Sequence, residues 1–173
     1  MSFTLSWKTH VKIYLIAVMM GAVLYNQINN MAEICIKNIQ YTFLLNHIFI
    51  AYLFYITAIM IPITLLHELI HGAAYMLFKG KIKIGFKGIY AYCHETSGIE
   101  LTREKFLFVL LMPVTVISLM CMILPFKTGL QIYLLNLLGS SGDLYMAFWL
   151  CRLKSDSRII DKIYGFDIKS ASN

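Results

Sequence analysis

The chain has 173 residues, of which 59% are hydrophobic and only 14% are charged, and its mean hydropathy is +0.69. These values lie outside the range of soluble globular domains, so the composition predicts an integral membrane protein. The formal net charge of +6 comes from basic residues that flank apolar segments, and membrane topology explains this pattern without a nucleic-acid partner.

Four apolar segments are long enough to be transmembrane helices, for which about 20 mainly apolar residues are needed. In chain order the predicted helices cover about 11–28, 41–78, 105–124 and 129–151. The second would be about 57 Å long, nearly twice the thickness of the hydrocarbon core, and it contains no plausible loop. We therefore expect one long helix that bends near Pro62, because the proline ring removes a backbone hydrogen bond.

A β-hairpin is predicted between the second and third helices, at about 81–102. Apolar and polar residues alternate from Lys81 to Phe86, and this period of two is typical of a strand. The segment 89–92, followed by a turn at 96–98, predicts the return strand. Two interpretations of the hairpin stay open: its edge pairs with an extended substrate, or the basic hairpin lies on anionic lipid headgroups.

The basic residues predict how the helices are oriented. All except Lys37 and Lys127 lie before the first helix or in its first turn, between the second and third helices or at the first residue of the third, or after the fourth. The positive-inside rule places these three segments, and with them both termini, in the cytoplasm. The predicted fold class is an all-α polytopic membrane protein with about four transmembrane helices and a small β-hairpin. Residues 1–151 would form a single transmembrane domain, and residues 152–173 a cytoplasmic tail.

The motif His67-Glu68-Leu69-Ile70-His71 lies within the second predicted helix. A helix brings residues four apart onto one face, so His67 and His71 can bind one Zn2+ ion while Glu68 reaches a zinc-activated water as general base. This HExxH pattern is typical of metal hydrolases. The alternative is that the two histidines are polar contacts between helices and that Glu68 is a buried pairing partner.

Asp143 is the predicted third metal ligand, since a catalytic zinc commonly has three protein ligands and one water. Acidic residues in the hydrocarbon region are costly and by default functional, and within the predicted helices only Glu68 and Asp143 are acidic. His71 and Asp143 would lie at similar depths, about 12 and about 13.5 Å from the cytoplasmic helix ends. A purely structural role for Asp143 stays open. Asn136 is a predicted substrate-positioning residue, with a structural interhelical hydrogen bond as the alternative.

Several segments of the chain resemble one known family. The segments that carry the resemblance are His67–Gly72, the Lys-rich strand, Leu111–Pro113, Asn136 and Ser141–Asp143. Together they resemble the small bacterial membrane proteins of the putative zincin peptidase family, which are distantly similar to site-2 (intramembrane zinc) proteases. The likeness extends from about Leu66 to Asp161.

The resemblance implies an intramembrane zinc metalloprotease. In site-2 proteases a later helix supplies an aspartate as third zinc ligand, which corresponds here to Asp143 beside His67 and His71, with Glu68 as the base. Leu144 follows this aspartate where glycine is typical, and the prolines that commonly precede it are absent. We expect the hydrolysis of peptide bonds in a membrane protein or peptide substrate, by a multi-pass protein in contact with the lipid bilayer of the bacterial cell membrane.

The alternative function is a non-proteolytic zinc-binding membrane protein, such as an immunity or accessory factor that uses zinc structurally. A closed site with four protein ligands would favour it, and His94 is the candidate extra ligand if the hairpin folds inward. A transporter is a weaker alternative, because the predicted helices contain few polar residues and the sequence has no internal repeats.

Overall fold

The structure is a computed structural model that describes residues 2–43, 47–87, 90–163 and 165–169. Within these ranges the chain is mostly helical and forms six helices and six short strands. In chain order the elements are β1 (Ser2–Thr4), α1 (Trp7–Val23), α2 (Tyr25–Phe43), α3 (Ile48–Leu77), β2 (Ile82–Lys87), β3 (Tyr90–Glu95), β4 (Leu101–Thr102), α4 (Arg103–Cys121), α5 (Phe126–Gly139), α6 (Ser141–Leu150), β5 (Arg158–Lys162) and β6 (Gly165–Lys169).

Two helices are long and apolar enough to cross a membrane, namely Phe49–Leu77 of α3 and Arg103–Cys121, which is α4. A third span results if α1 and the first part of α2, which are bent by 64° relative to each other, are counted as one. The described part of the chain therefore contains two or three candidate spans, where the sequence predicted about four transmembrane helices.

The first and fourth predicted helices are each interrupted. The prediction for 11–28 crosses the break at Leu24 between α1 and α2, and that for 129–151 crosses the break at Ser140 between α5 and α6. With 14 and 10 residues, α5 and α6 are each shorter than the about 20 residues that a span needs. The Ser140 hydroxyl donates to the Asn136 carbonyl at 2.7 Å, and this kind of bond to the preceding turn bends helices.

The second predicted helix, 41–78, corresponds largely to α3, which continues through Pro62. Residues 44–46 of that prediction lie outside the described residues, and the three residues before them belong to α2. The bend near Pro62 stays a prediction. The end of α3 is marked by Lys79, whose φ of 66° is left-handed, a common way for a helix to terminate.

The predicted hairpin is formed by β2 and β3, which pair antiparallel with Ile82 opposite Glu95. The chain reverses between these two strands, before the predicted turn at 96–98. That turn instead leads from β3 towards β4, and it is organised by the Glu95 carboxylate, which accepts hydrogen bonds from the Ser97 and Gly98 amides at 2.6 Å each. The hairpin is therefore anchored at its C-terminal end.

A four-stranded antiparallel sheet in the order β1-β6-β5-β4 joins the two ends of the chain. Ile159 and Phe166 of this sheet are fully buried and belong to the same core cluster as Phe106 and Leu150. Phe3 of β1 stacks on Phe166 with ring centroids 4.8 Å apart. The prediction of an all-α fold is wrong in this respect, because the segment predicted as a cytoplasmic tail supplies two strands that cover the helical core.

Candidate metal centre

The motif histidines lie one turn apart on α3 and face the same point. Both side chains are buried, with 8% of the His67 surface and 7% of the His71 surface exposed. Their ring centroids are 4.8 Å apart and their Nε2 atoms 3.1 Å apart. The helical spacing of four residues therefore brings two imidazole nitrogens together, away from solvent.

Asp143 reaches the same point from the first turn of α6. Its Oδ2 atom lies 2.9 Å from Nε2 of His67 and 3.4 Å from Nε2 of His71. The break at Ser140 starts a new helix here, and the partial positive charge of a helix N-terminus stabilises a carboxylate in the first turn. The interruption of the predicted fourth helix therefore contributes to the site.

The opposite ring nitrogens of both histidines are held by other helices. The Nδ1–H of His71 donates to the Val109 carbonyl of α4 at 3.0 Å, and the Nδ1–H of His67 donates to Oδ1 of Asn136 on α5 at 3.2 Å. With the proton on Nδ1, the lone pair of each neutral ring lies on Nε2. Two such lone pairs and the Asp143 carboxylate face one another, an arrangement that a bound cation stabilises.

These three donor atoms fit Zn2+. All lie within 4.8 Å of one another, and no other group of this kind occurs among the described residues. Tetrahedral zinc, with bonds of about 2.0–2.2 Å, separates its ligand atoms by about 3.3 Å, close to the distances found here. Two histidines and one carboxylate with an open fourth position are typical of catalytic zinc sites.

Glu68 lies partly buried at the edge of the ligand group. Its carboxylate accepts a hydrogen bond from the backbone N–H of Cys93 in β3. Gly72 permits this close approach of the hairpin to α3, since an added Cβ would lie 2.6 Å from Cδ1 of Ile82 and 3.5 Å from Sγ of Cys93. The hairpin is therefore docked on the helix that carries the motif.

An open cavity of about 170 Å³ lies beside the ligand group. The residues that line it are Met60, Ile63, Thr64, His67, Glu68, Leu135, Asn136, Gly139, Gly142 and Asp143. Asn136, the predicted substrate-positioning residue, is 98% buried, with 2% of its surface exposed, and its Nδ2 has no hydrogen-bond partner among the described residues. This amide group therefore has an unused donor at the wall of the cavity.

His94 is not brought to the metal site. Its Nδ1–H donates to the carbonyl of the adjacent Glu95 at 2.7 Å. Within the described residues, the candidate ligand group consists of His67, His71 and Asp143 alone. The closed four-ligand site that would favour a structural zinc is therefore not formed by His94.

Two contacts of the site could not be predicted from the sequence. The Cys93 amide and the Val109 carbonyl are backbone groups, and every residue type except proline carries both, so the residue identities give no signal. Gly72, directly after the motif, is the one sequence feature that indicates a close approach by another segment. The donor to Glu68 and the acceptor from His71 become visible only in the folded chain.

The fold and the site together define a mostly helical protein with a candidate His-His-Asp metal site and an adjacent glutamate. Residues 60–158, more than half of the chain, match the model of the family described as putative zincin peptidase, and the chain belongs to this family. Membership indicates a zinc metallopeptidase. Comparison with curated proteins gave no match, and comparison with solved structures gave none either.

Proposed function

We propose that this chain is an intramembrane zinc metalloprotease that hydrolyses peptide bonds of membrane-associated substrates. The observation that carries the proposal is the convergence of His67 Nε2, His71 Nε2 and Asp143 Oδ2 beside Glu68 at an open cavity. A purely structural metal site would have no need for an accessible carboxylate or for space beside the ligands. Both features are required for attack by water on a bound peptide.

The roles of the residues follow from their contacts. When held by His67, His71 and Asp143, zinc supplies Lewis acidity, which lowers the pKa of bound water and polarises the scissile carbonyl. Glu68 accepts the proton of the attacking water on its carboxylate and passes it to the leaving amine. The Cys93 amide holds that carboxylate at the cavity wall, so the base is oriented before the substrate arrives.

The membrane setting is supported by the placement of the site in α3 and by the sheet. His67 lies about 15 Å before the end of the candidate span at Leu77. β1 pairs with β6 and β4 pairs with β5, so the strands near both chain ends and the strand that precedes α4 belong to one sheet. This supports four crossings, by α1, α3, α4 and the α5–α6 pair, with both termini in the cytoplasm as the basic residues predict.

The cavity beside the ligand group suits an extended apolar substrate. Met60, Ile63 and Leu135 line the cavity and can surround an apolar side chain, while Nδ2 of Asn136 can donate to a substrate carbonyl. Glu68 lines the same cavity. A peptide bound there in extended form would present its scissile bond to the base, as hydrolysis requires.

The test compares the purified full-length chain with its Glu68→Gln variant in detergent micelles, loaded with Zn2+ and supplied with fluorescein-labelled casein. We expect the wild type to release labelled peptides and Glu68→Gln to retain one equivalent of zinc while losing hydrolysis. Glu104→Gln, which changes an exposed carboxylate in the first turn of α4, is the matched control and should keep wild-type activity.

Two results would argue against the proposal. Full hydrolysis by Glu68→Gln would remove Glu68 from the mechanism. Stoichiometric zinc in a wild type that cleaves neither casein nor membrane peptides would favour the non-proteolytic immunity or accessory factor.

A further inference from the structure

Asp161 of β5 connects three elements around the active site. Its Oδ2 accepts a hydrogen bond from the Glu95 amide of β3 at 2.9 Å, and the Tyr75 hydroxyl of α3 also donates to this carboxylate. Burial raises the pKa of Asp161 above its ordinary value, against the effect of these hydrogen bonds. The ion pairs found among the described residues do not include Asp161. A carboxylate buried without a cation pair is costly, so its retention requires a reason.

Asp161 and Glu68 both contact β3 at the strand edge that faces away from β2. The Thr96 amide donates to the Lys81 carbonyl of the paired segment at 2.7 Å. Because amides alternate in direction along an antiparallel strand, the Glu95 and Cys93 amides face away from β2. Each of these two outward amides is bound by a carboxylate, from Asp161 and from Glu68 respectively.

The same face of α3 meets this strand edge at three successive turns. Glu68, Gly72 and Tyr75 are four and then three residues apart, so they lie on one face of the helix. Glu68 contacts the Cys93 amide, Gly72 lies against the hairpin, and Tyr75 reaches β3 through Asp161. Asp161 thus makes one of the two carboxylate contacts that set the position of β3 along α3, and Glu68 makes the other.

We propose that Asp161 is a positioning residue for the active site, which holds β3 in register on α3 so that the Cys93 amide stays on the Glu68 carboxylate. The proposal rests on the proposed peptidase function for its kinetic consequences. Asp161 lies beyond the segment 60–158 that matches the family. The proposal gives the C-terminal strands a part in positioning the base.

The kinetic test uses the full-length zinc-loaded chain, labelled casein, and the variants Asp161→Ala and Asp161→Asn. Asp161→Ala should lower kcat about tenfold to a hundredfold with little change in KM and with zinc retained, because a misplaced base slows the chemistry more than binding. Asp161→Asn keeps an acceptor oxygen and should restore most of kcat. Asp156→Ala, an exposed aspartate in the loop before β5, is the matched control and should behave as wild type.

A second measurement does not depend on peptidase activity. Amide hydrogen exchange over 90–95 should be faster in Asp161→Ala than in wild type and unchanged in Asp156→Ala, and Tyr75→Phe should give a smaller increase. The exchange measurement tests the positioning role of Asp161 even if the wild type hydrolyses nothing. If Asp161→Ala does not fold, Asp161→Asn and Tyr75→Phe decide it.

Three outcomes would overturn the proposal. The first is wild-type kcat in a folded Asp161→Ala. The second is exchange in β3 that stays at the wild-type rate. The third is a loss of zinc and a uniform rise of exchange across α3 and α4 in Asp161→Asn and Tyr75→Phe, which would make Asp161 a general stabiliser of the fold.

Discussion

The site is built by helices α3 to α6, the helical layer, and by the two small sheets, the sheet layer, and these contribute to it by different means. In the helical layer, α3 and α6 offer side-chain atoms to a metal, and α4 and α5 fix the rings of the two histidines. In the sheet layer, β3 offers backbone amides to two carboxylates, of which one is the candidate base. The helices therefore determine whether a metal is bound, whereas the sheets determine where the base is held.

This division makes the two layers separable by experiment. The loss of a metal ligand in the helical layer should remove zinc and activity together, while the fold of the sheets persists. A change in the sheet layer should leave zinc in place and alter the turnover rate or the stability. The comparison fails if the two kinds of variant behave alike.

The largest effect is expected from Asp143→Ala. This change removes one of three ligands, so zinc affinity should fall by more than about 100-fold. The loss should exceed that caused by removing a residue that only hydrogen-bonds to a ligand. Hydrolysis should fall to background. Metal content after dialysis, measured by mass spectrometry, checks the prediction, and Asp156→Ala is the control. Stoichiometric zinc in Asp143→Ala would show that the carboxylate is not a ligand.

The helical layer could largely be anticipated from the sequence because its signals are local. The four-residue spacing of His67 and His71 needs only a helix, and apolar segments marked the helix that carries them. The pairing with Asp143 was reached from depths in an uninterrupted fourth helix. The structure brings Asp143 to the histidines with that helix broken at Ser140, so the geometry behind the prediction was incomplete although the three residues meet.

The sheet layer could not be anticipated, since its pairing is between distant segments. β1 has only three residues, too few for an alternating pattern, and it pairs with a strand at the other end of the chain. The segments 158–162 and 165–169 have only five residues each, so any alternation there is also short. Strands of this length are stable only when their partners and the helical core are present. The sequence therefore predicts a tail where the structure has two strands.

A smaller effect, confined to turnover, is expected from Gly72→Val at the boundary of the two layers. A Cβ at this position already approaches Cδ1 of Ile82 to 2.6 Å, and two further methyl groups would push the hairpin away from α3. Because a shift of about 1 Å costs on the order of 100-fold in rate, kcat should fall about tenfold to a hundredfold with zinc retained.

Gly21→Val is the control for that substitution. Its added Cβ would have Leu138 Cδ2 as nearest neighbour at an ordinary 4.0 Å, and it lies on α1, outside the site. Gly72→Ala should be milder than Gly72→Val, because the flexible end of Ile82 can rotate away. Equal kcat for Gly72→Val and Gly21→Val would show that hairpin docking does not control the base.

The smallest effect is expected from Glu95→Gln, and it should appear in stability. Burial opposes ionisation of Glu95, but hydrogen bonds from Ser97, Gly98 and Lys81 hold its pKa below the ordinary value of 4.5. An amide cannot accept all of these bonds, so the variant should lose about 1–3 kcal/mol at pH 7. Since the folded pKa is the lower one, the wild-type advantage is present above about pH 4.5 and disappears as the pH falls through the folded pKa. Thermal unfolding of both proteins between pH 7 and pH 3, with Glu104→Gln as control, measures this difference, and an advantage that persists at the acid end would show that the charge of Glu95 does not anchor the hairpin.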